Sequence, residues 1–315
     1  MRMIALEEHF LPQDVATAAG IDPASVWGLF DALGDTGDKR LEVMDKAGID
    51  VQILSVPNAG IQKLGAERAT ALSRELNDRM AAVIAAHPGR FRAFASLPMC
   101  APDAAADELA RAVQELGFVG VLVAGQTNGA FLDDPSMRPV LQAAERLDVP
   151  VYLHPAAPPQ TVFDAYFSGL DPGVAARLST SGWGWHVETG MHVLRMAATG
   201  TFERFPGLQV IVGHMGENLP FSLARADEQL GPVVNLSTSV AETLQQHLWI
   251  TTCGYTTTPP LLCALTVFGA DRMMFSVDYP FSDGNEATEF LTDAPLGPGD
   301  RARIAHLNAE ALLKI

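Results

Sequence analysis

Residues 209–220 read QVIVGHMGENLP, and the fold class follows from how that stretch is divided. Val210-Ile211-Val212 is short, β-branched and free of polar alternation, so it reads as a strand covered on both faces. The run stops at Gly213, and Asn218-Leu219-Pro220 then offers a capping side chain and a first-turn proline to a helix over 219–230. The unit is strand, polar turn, helix. Moving outward, apolar runs at 3–6, 51–55, 91–96, 120–123, 151–153, 248–251 and 273–277 complete a set of eight. Helical stretches lie between them at 66–86, 103–116, 136–147, 187–205, 258–268 and 301–314. Alternation of this kind predicts an α/β fold, a single (β/α)8 TIM-type barrel spanning 1–315, with an open doubly wound sheet as the alternative. Two connections exceed what a barrel needs. Residues 10–40, after strand one, and 155–186, after strand five, carry Trp27, Phe30, Phe163, Trp183 and Trp185 among turn residues, and read as lid insertions.

The 315 residues carry 37 acidic and 21 basic side chains, a net charge of −16, with 48% hydrophobic and 18% charged residues. So apolar a chain builds a core, which excludes disorder. The acidic balance, with no basic run to offset it, argues against nucleic acid as a partner. No stretch reaches the length of apolar chain that a membrane span needs, and Glu7 and Glu8 interrupt the amino terminus before a signal sequence can form. The chain therefore reads as cytoplasmic. Cys100, Cys253 and Cys263 show no paired spacing and read as free thiols.

In a parallel barrel the chemistry sits where strands end. Glu7, Glu8 and His9 follow the first strand, His154 the fifth, His214 and Glu217 the sixth, and Asp278 the eighth. Glu7 and His9, two residues apart in extended chain, point the same way, and Glu8 points to the opposite face. Carboxylates and imidazoles from four strand ends thus converge on one mouth. Such a mixed oxygen and nitrogen set holds a hard or borderline divalent ion without any thiolate. His87, His186, His192, His247 and His306 fall on helices or loops and read as structural.

The motifs ALEEHF (5–10), YLHP (152–155), GHMGENLPF (213–221) and FSVDYPF (275–281) resemble the amidohydrolase superfamily. Within it they are similar to the metal-dependent decarboxylase branch that includes γ-resorcylate, 2,3-dihydroxybenzoate and 5-carboxyvanillate decarboxylases. NAGIQ (58–62), GWGWHVETGMHVLRM (182–196) and NAEALLKI (308–315) extend the likeness along nearly the whole chain. The resemblance implies one divalent ion per subunit, Mn²⁺ in preference to Zn²⁺, ligated by Glu7, His9, His154 and Asp278. It makes Asp278, His214 and Glu217 the catalytic groups: Asp278 donates a proton, His214 acts as acid and base, and Glu217 orients it. The implied reaction is non-oxidative decarboxylation of an ortho-hydroxybenzoate-type acid. A hydrolase of a lactone, amide or ester on the same scaffold is the alternative. Trp27, Phe30 and Phe163 would wall an aromatic substrate. Arg225 would reach a neighbouring subunit's pocket, which implies a homodimer or homotetramer.

Overall fold

A computed structural model of the chain describes residues 1–22, 28–57 and 60–315. Among them eight strands pair exclusively in parallel: β1 (Ile4–His9), β2 (Val51–Ser55), β3 (Phe91–Ala93), β4 (Val121–Ala124), β5 (Val151–His154), β6 (Val210–Val212), β7 (Leu248–Thr251) and β8 (Met273–Met274). Every one of them follows its sequence neighbour in space, in the orders β1-β2-β3 and β4-β5-β6-β7-β8. The strands are almost wholly buried, as β-branched runs without alternation require.

The continuous eight-stranded ring expected from the sequence is replaced by ladders of three and five strands, joined at their seams by isolated parallel bridges, Ala95 to Val121 and Leu6 to Ser276. The cause at the second seam is local. Beyond Met274 side chains take over the hydrogen bonds of the ladder: Ser276 Oγ donates to the Leu6 carbonyl, the Val277 amide donates to Glu8 Oε1 (2.9 Å), and the Ser276 amide donates to Thr252 Oγ1 (3.1 Å). The Phe275 amide leaves the sheet to reach the Ile304 carbonyl (2.8 Å) in the widened helical turn Arg303–Leu307. These bonds steer the chain out of strand geometry just before Asp278.

Helices occur near where the apolar periodicity places them, with departures; the stretch 301–314 divides into Pro298–Ala302, the widened turn Arg303–Leu307 and Asn308–Leu313. The stretch 187–205 divides into Gly184–Ala198 and Thr201–Arg204, because Gly200 adopts φ +71° between them. The long connections contain short helices of their own, Gln13–Ala18 and Phe30–Gly34 after β1, and Gln160–Tyr166 and Pro172–Ser179 after β5. No helix among the described residues is long and apolar enough to cross a membrane.

The helix Gly184–Ala198 is pinned to the loop after β4 by His192, whose Nε2 accepts from the Leu132 amide at 2.7 Å while its ring meets Phe131 edge-on. Burial, aided by nearby Arg195, pushes its pKa down to about 3. A neutral imidazole in the native state binds fewer protons than the unfolded chain, so its contribution is complete above the unfolded value near 6.5 and is lost progressively toward 3 as pH falls. Between pH 7 and 5 the native protein should lose about 2 kcal/mol more stability than His192→Gln does, a difference readable by urea unfolding at the two pH values. Equal losses in both proteins would show that His192 is protonated without penalty.

Candidate metal centre

Glu7, His9, His154 and Asp278 bring one ligand atom each to within 4.8 Å of all the others, in a group that could hold a metal ion. His9 Nε2 stands 3.1 Å from Asp278 Oδ1, and His154 Nε2 stands 3.1 Å from Glu7 Oε1. Glu7 and His9 have no exposed side-chain surface, whereas His154 and Asp278 keep 11% and 17%. The open side of the cluster therefore faces those two residues.

The convergence of Glu7 with His9 is achieved by a bulge. Ala5 pairs with Gln52 and Glu8 with Leu54, so β1 uses one more residue than β2 over this interval, and Glu7 takes φ +61°. His214, Glu217 and Asp278 share this left-handed conformation, at φ +48°, +53° and +76°. Backbone strain of this kind in residues other than glycine concentrates at functional sites, where surrounding bonds hold it in place. Glu8 points away, as expected, and accepts from Gln52 Nε2 at 3.1 Å.

Outer partners fix Glu7, His9 and His154. Ser55 Oγ lies 3.1 Å from His9 Nδ1, Tyr152 donates its hydroxyl to Glu7 Oε2, and His154 Nδ1 meets the Pro155 carbonyl at 2.6 Å. Each histidine is thereby turned so that Nε2 faces the centre. Glu7 Oε1 and His9 Nε2 are buried and make no hydrogen bond among the described residues, an expensive state unless a cation takes their lone pairs. Burial alone would push the Asp278 carboxyl up, but His214 and His9 outweigh it and hold it down at about 2. Glu7 is likewise lowered, with His214 and His154 outweighing burial, while burial lowers His9. Burial would lower His154, but Glu7 and Asp278 outweigh it and raise it, so an ion would displace its proton; two carboxylates and two imidazoles are then the donor set a divalent ion takes, and the residues fit one.

Beside the cluster runs a second chain of contacts. His214 Nε2 lies 3.9 Å from Asp278 Oδ2, His214 Nδ1 is 2.7 Å from Glu217 Oε1, and Glu217 Oε2 is 2.6 Å from His186 Nδ1. His186 Nε2 reaches the Ser181 carbonyl at 3.1 Å. Burial would raise the Glu217 pKa, yet His214 and His186 hold it at about 2, so the carboxylate is ionised between two imidazoles. His186 therefore belongs to this network and is not the detached structural histidine expected from its place on a helix.

The proposed aromatic walls fare differently. Phe30 packs against the main hydrophobic core, Phe163 meets Phe167 with ring centroids 5.8 Å apart, and Trp27 lies outside the described residues. No described contact brings Phe30 or Phe163 to the cluster. Besides Tyr152, Phe281 meets the cluster, 5.6 Å from His9, and Tyr255 meets the neighbouring network, 5.9 Å from His186; Phe281 and Tyr255 line a cavity of about 280 Å³ on the β7–β8 side. Phe281 follows Asp278 by three residues and was within reach of strand-end reasoning; Tyr255 was not. Arg225 is 70% exposed on the helix Leu219–Leu230 and pairs with Glu228 at 2.9 Å, outside this cluster.

The amidohydrolase family model matches residues 9–315. The chain belongs to that family. This amidohydrolase is 37% identical to the gamma-resorcylate decarboxylase of Rhodococcus jostii (strain RHA1), over 99% of this chain and 98% of that one. Among solved structures, it superimposes on a 2,6-dihydroxybenzoate decarboxylase complexed with 2,6-dihydroxybenzoate with a TM-score of 0.88, at 37% identity over the whole of both chains. The dihydroxybenzoic acid decarboxylase of Polaromonas sp. JS666, with bound manganese and the inhibitor 2-nitroresorcinol, gives a TM-score of 0.88 at 36% identity, over 99% of this chain and 97% of that one.

Proposed function

We propose that this amidohydrolase removes CO2 from an ortho-hydroxybenzoate-type acid without an oxidant, using one divalent ion per subunit, Mn²⁺ in preference to Zn²⁺. The observation that carries this reading is the placement of Asp278, which belongs to the four-residue cluster, is its most exposed member and faces His214. Glu7, His9, His154 and Asp278 are the ligands of the ion. When bound, the ion supplies Lewis acidity that favours the phenolate and fixes the substrate carboxylate. Asp278 delivers a proton to the ring carbon bearing that carboxylate; the bond to CO2 then breaks, and its electrons restore the aromatic ring. Because the Asp278 carboxyl rests ionised, its proton arrives with the substrate, by way of His214 or the substrate's own hydroxyl. Glu217, clasped by His186, holds His214 by Nδ1 and so aims Nε2, the atom through which the imidazole gives or takes a proton, at Asp278.

The relatives' substrates point to a flat acid with hydroxyls flanking the carboxylate, and the wall supplied by Phe281 and Tyr255 suits such a ring. In the same reading, 1–315 is one domain and its eight strands act as one barrel. The segments 10–40 and 155–186 cover its mouth. Phe30 and Phe163 wall the substrate, and Arg225, already outside its own mouth, serves the neighbouring subunit of a cytoplasmic homodimer or homotetramer.

The test is incubation of Mn²⁺-loaded protein with 2,6-dihydroxybenzoate in deuterated water. Decarboxylation gives CO2 and resorcinol with one deuterium at the vacated carbon. Cleavage of lactones, amides or esters, with the hydroxybenzoate untouched, would overturn the reading in favour of a hydrolase. Glu217→Gln should lower turnover about 10- to 100-fold at unchanged metal content, because an outer partner of a reacting imidazole is lost without loss of a ligand. An equal fall produced by metal loss would assign Glu217 to the ligand shell instead.

A further inference from the structure

Cys253 follows β7 and is fully buried, yet its surroundings are not those of a packing thiol. Its Sγ lies 3.7 Å from His214 Nε2, and with Glu7 the three residues bring ligand atoms to within 4.8 Å of one another. We propose that Glu7, His214 and Cys253 form a second cation site, adjoining the first, which accepts a thiophilic divalent ion such as Zn²⁺ or Cd²⁺ and halts turnover when filled. The inference rests on the metal-site part of the reading above, since Glu7 is common to both groups.

Three observations carry it. His214 is oriented as a metal ligand would be, with Nδ1 held by the Glu217 carboxylate and Nε2 lying 3.7 Å from the Cys253 sulfur. The 3.7 Å between sulfur and nitrogen is close to the roughly 3.5 Å edge of a tetrahedron with zinc–sulfur and zinc–nitrogen bonds of ordinary length. Glu7 belongs to both groups, so the two sites share its carboxylate. Gly254 completes the arrangement: a Cβ there would sit 3.2 Å from His214 Cδ2, so a larger residue would press the ring away from its neighbour.

The two groups differ in softness. Two carboxylates and two imidazoles suit Mn²⁺, whereas a thiolate, an imidazole and one carboxylate oxygen favour Zn²⁺ or Cd²⁺. On binding, metal bonds to sulfur and to His214 Nε2 replace their bonds to hydrogen, both protons leave to solvent, and no oxidation state changes. An ion so held occupies the Nε2 lone pair of His214 and removes it from proton transfer. Excess thiophilic metal is therefore an inhibitor acting at its own site, without displacing Mn²⁺.

The experiment adds Cd²⁺ to Mn²⁺-loaded protein carrying Cys100→Ser and Cys263→Ser, which leaves Cys253 as its single thiol. It follows thiolate-to-cadmium absorption in the ultraviolet together with both metals per subunit by elemental analysis. One Cd²⁺ beyond a retained Mn²⁺, with that absorption and a matching loss of turnover, is the expected result. Adding Cys253→Ser, with folding checked by thermal unfolding, should abolish the absorption and weaken the second ion at least about 100-fold, since losing a direct ligand costs no less than losing an outer partner. Cadmium that replaces manganese without thiolate absorption, or that binds equally well after Cys253→Ser, would overturn the proposal. Absorption and stoichiometry need no substrate, so they stand or fall apart from the decarboxylase reading.

Discussion

Asp278→Asn should lower the rate of CO2 release about a thousandfold or more while Mn²⁺ content is retained, because proton donation by a positioned acid contributes roughly 10²- to 10⁴-fold. Asparagine is the informative replacement. Residue 278 sits at φ +76°, in a left-handed region that Asn occupies more readily than most side chains, so the backbone has no reason to move. The amide keeps one oxygen for a cation but carries no proton it can surrender. Single-turnover CO2 release, manganese by elemental analysis and binding of 2-nitroresorcinol, an inhibitor found in a relative's structure, separate chemistry from site integrity. Near-normal turnover with metal and inhibitor binding intact would remove Asp278 from its role as donor. Loss of manganese in parallel with activity would reduce it to a ligand.

What the sequence disclosed, and what it withheld, divides along the range of the interactions. Strands at 51–55 and 248–251 and helices at 66–86, 219–230 and 258–268 lie where local pattern puts them, since an apolar run covered on both faces and a 3.6-residue period each leave a direct trace. The meeting of carboxylates and imidazoles past the strand ends was legible for a different reason: parallel strands share a direction, so such residues meet whatever the loops do, and the family resemblance singled out the four ligands among them. The bulge at Glu7 was not, because nothing in Ala5-Leu6-Glu7-Glu8-His9 marks an extra residue, which is visible only against its partner strand. Tyr152 was overlooked although it precedes His154 by two residues on β5 and so shares its face; in a run of apolar residues a tyrosine reads as bulk until its hydroxyl meets Glu7. His186 was set aside because its partner, Glu217, lies 31 residues on, beyond any local pattern.

Arg40 was equally hidden, and its removal should be the most destabilising single change considered. It lies on the helix Asp38–Ala47, yet it is fully buried, with its guanidinium 4.5 Å from the centre of the Tyr279 ring. Nη1 donates to the His9 carbonyl and Nε to Gln52 Oε1, each at 2.7 Å; Gln52 Nε2 donates to Glu8 Oε2, and Glu8 Oε1 accepts from the Val277 amide. One cation thus ties the end of β1 to the residue before Asp278, fixing the span between the two halves of the metal cluster. Burial pushes the Glu8 pKa up to about 8, against the pull of the Val277 amide and the Arg40 charge, so losing Arg40 makes that carboxylate still harder to keep ionised. Arg40→Met keeps the bulk but orphans the His9 carbonyl and the Gln52 amide oxygen at once, at a cost of about 3–5 kcal/mol in urea unfolding of the metal-free protein. Mn²⁺ affinity should fall about 10- to 100-fold, as expected when the supports of a ligand are loosened, and Arg40→Lys should recover part of it by offering one donor to the His9 carbonyl. Unfolding within about 1 kcal/mol of the native protein, with manganese bound as tightly, would show that the two strand ends hold their spacing without this cation.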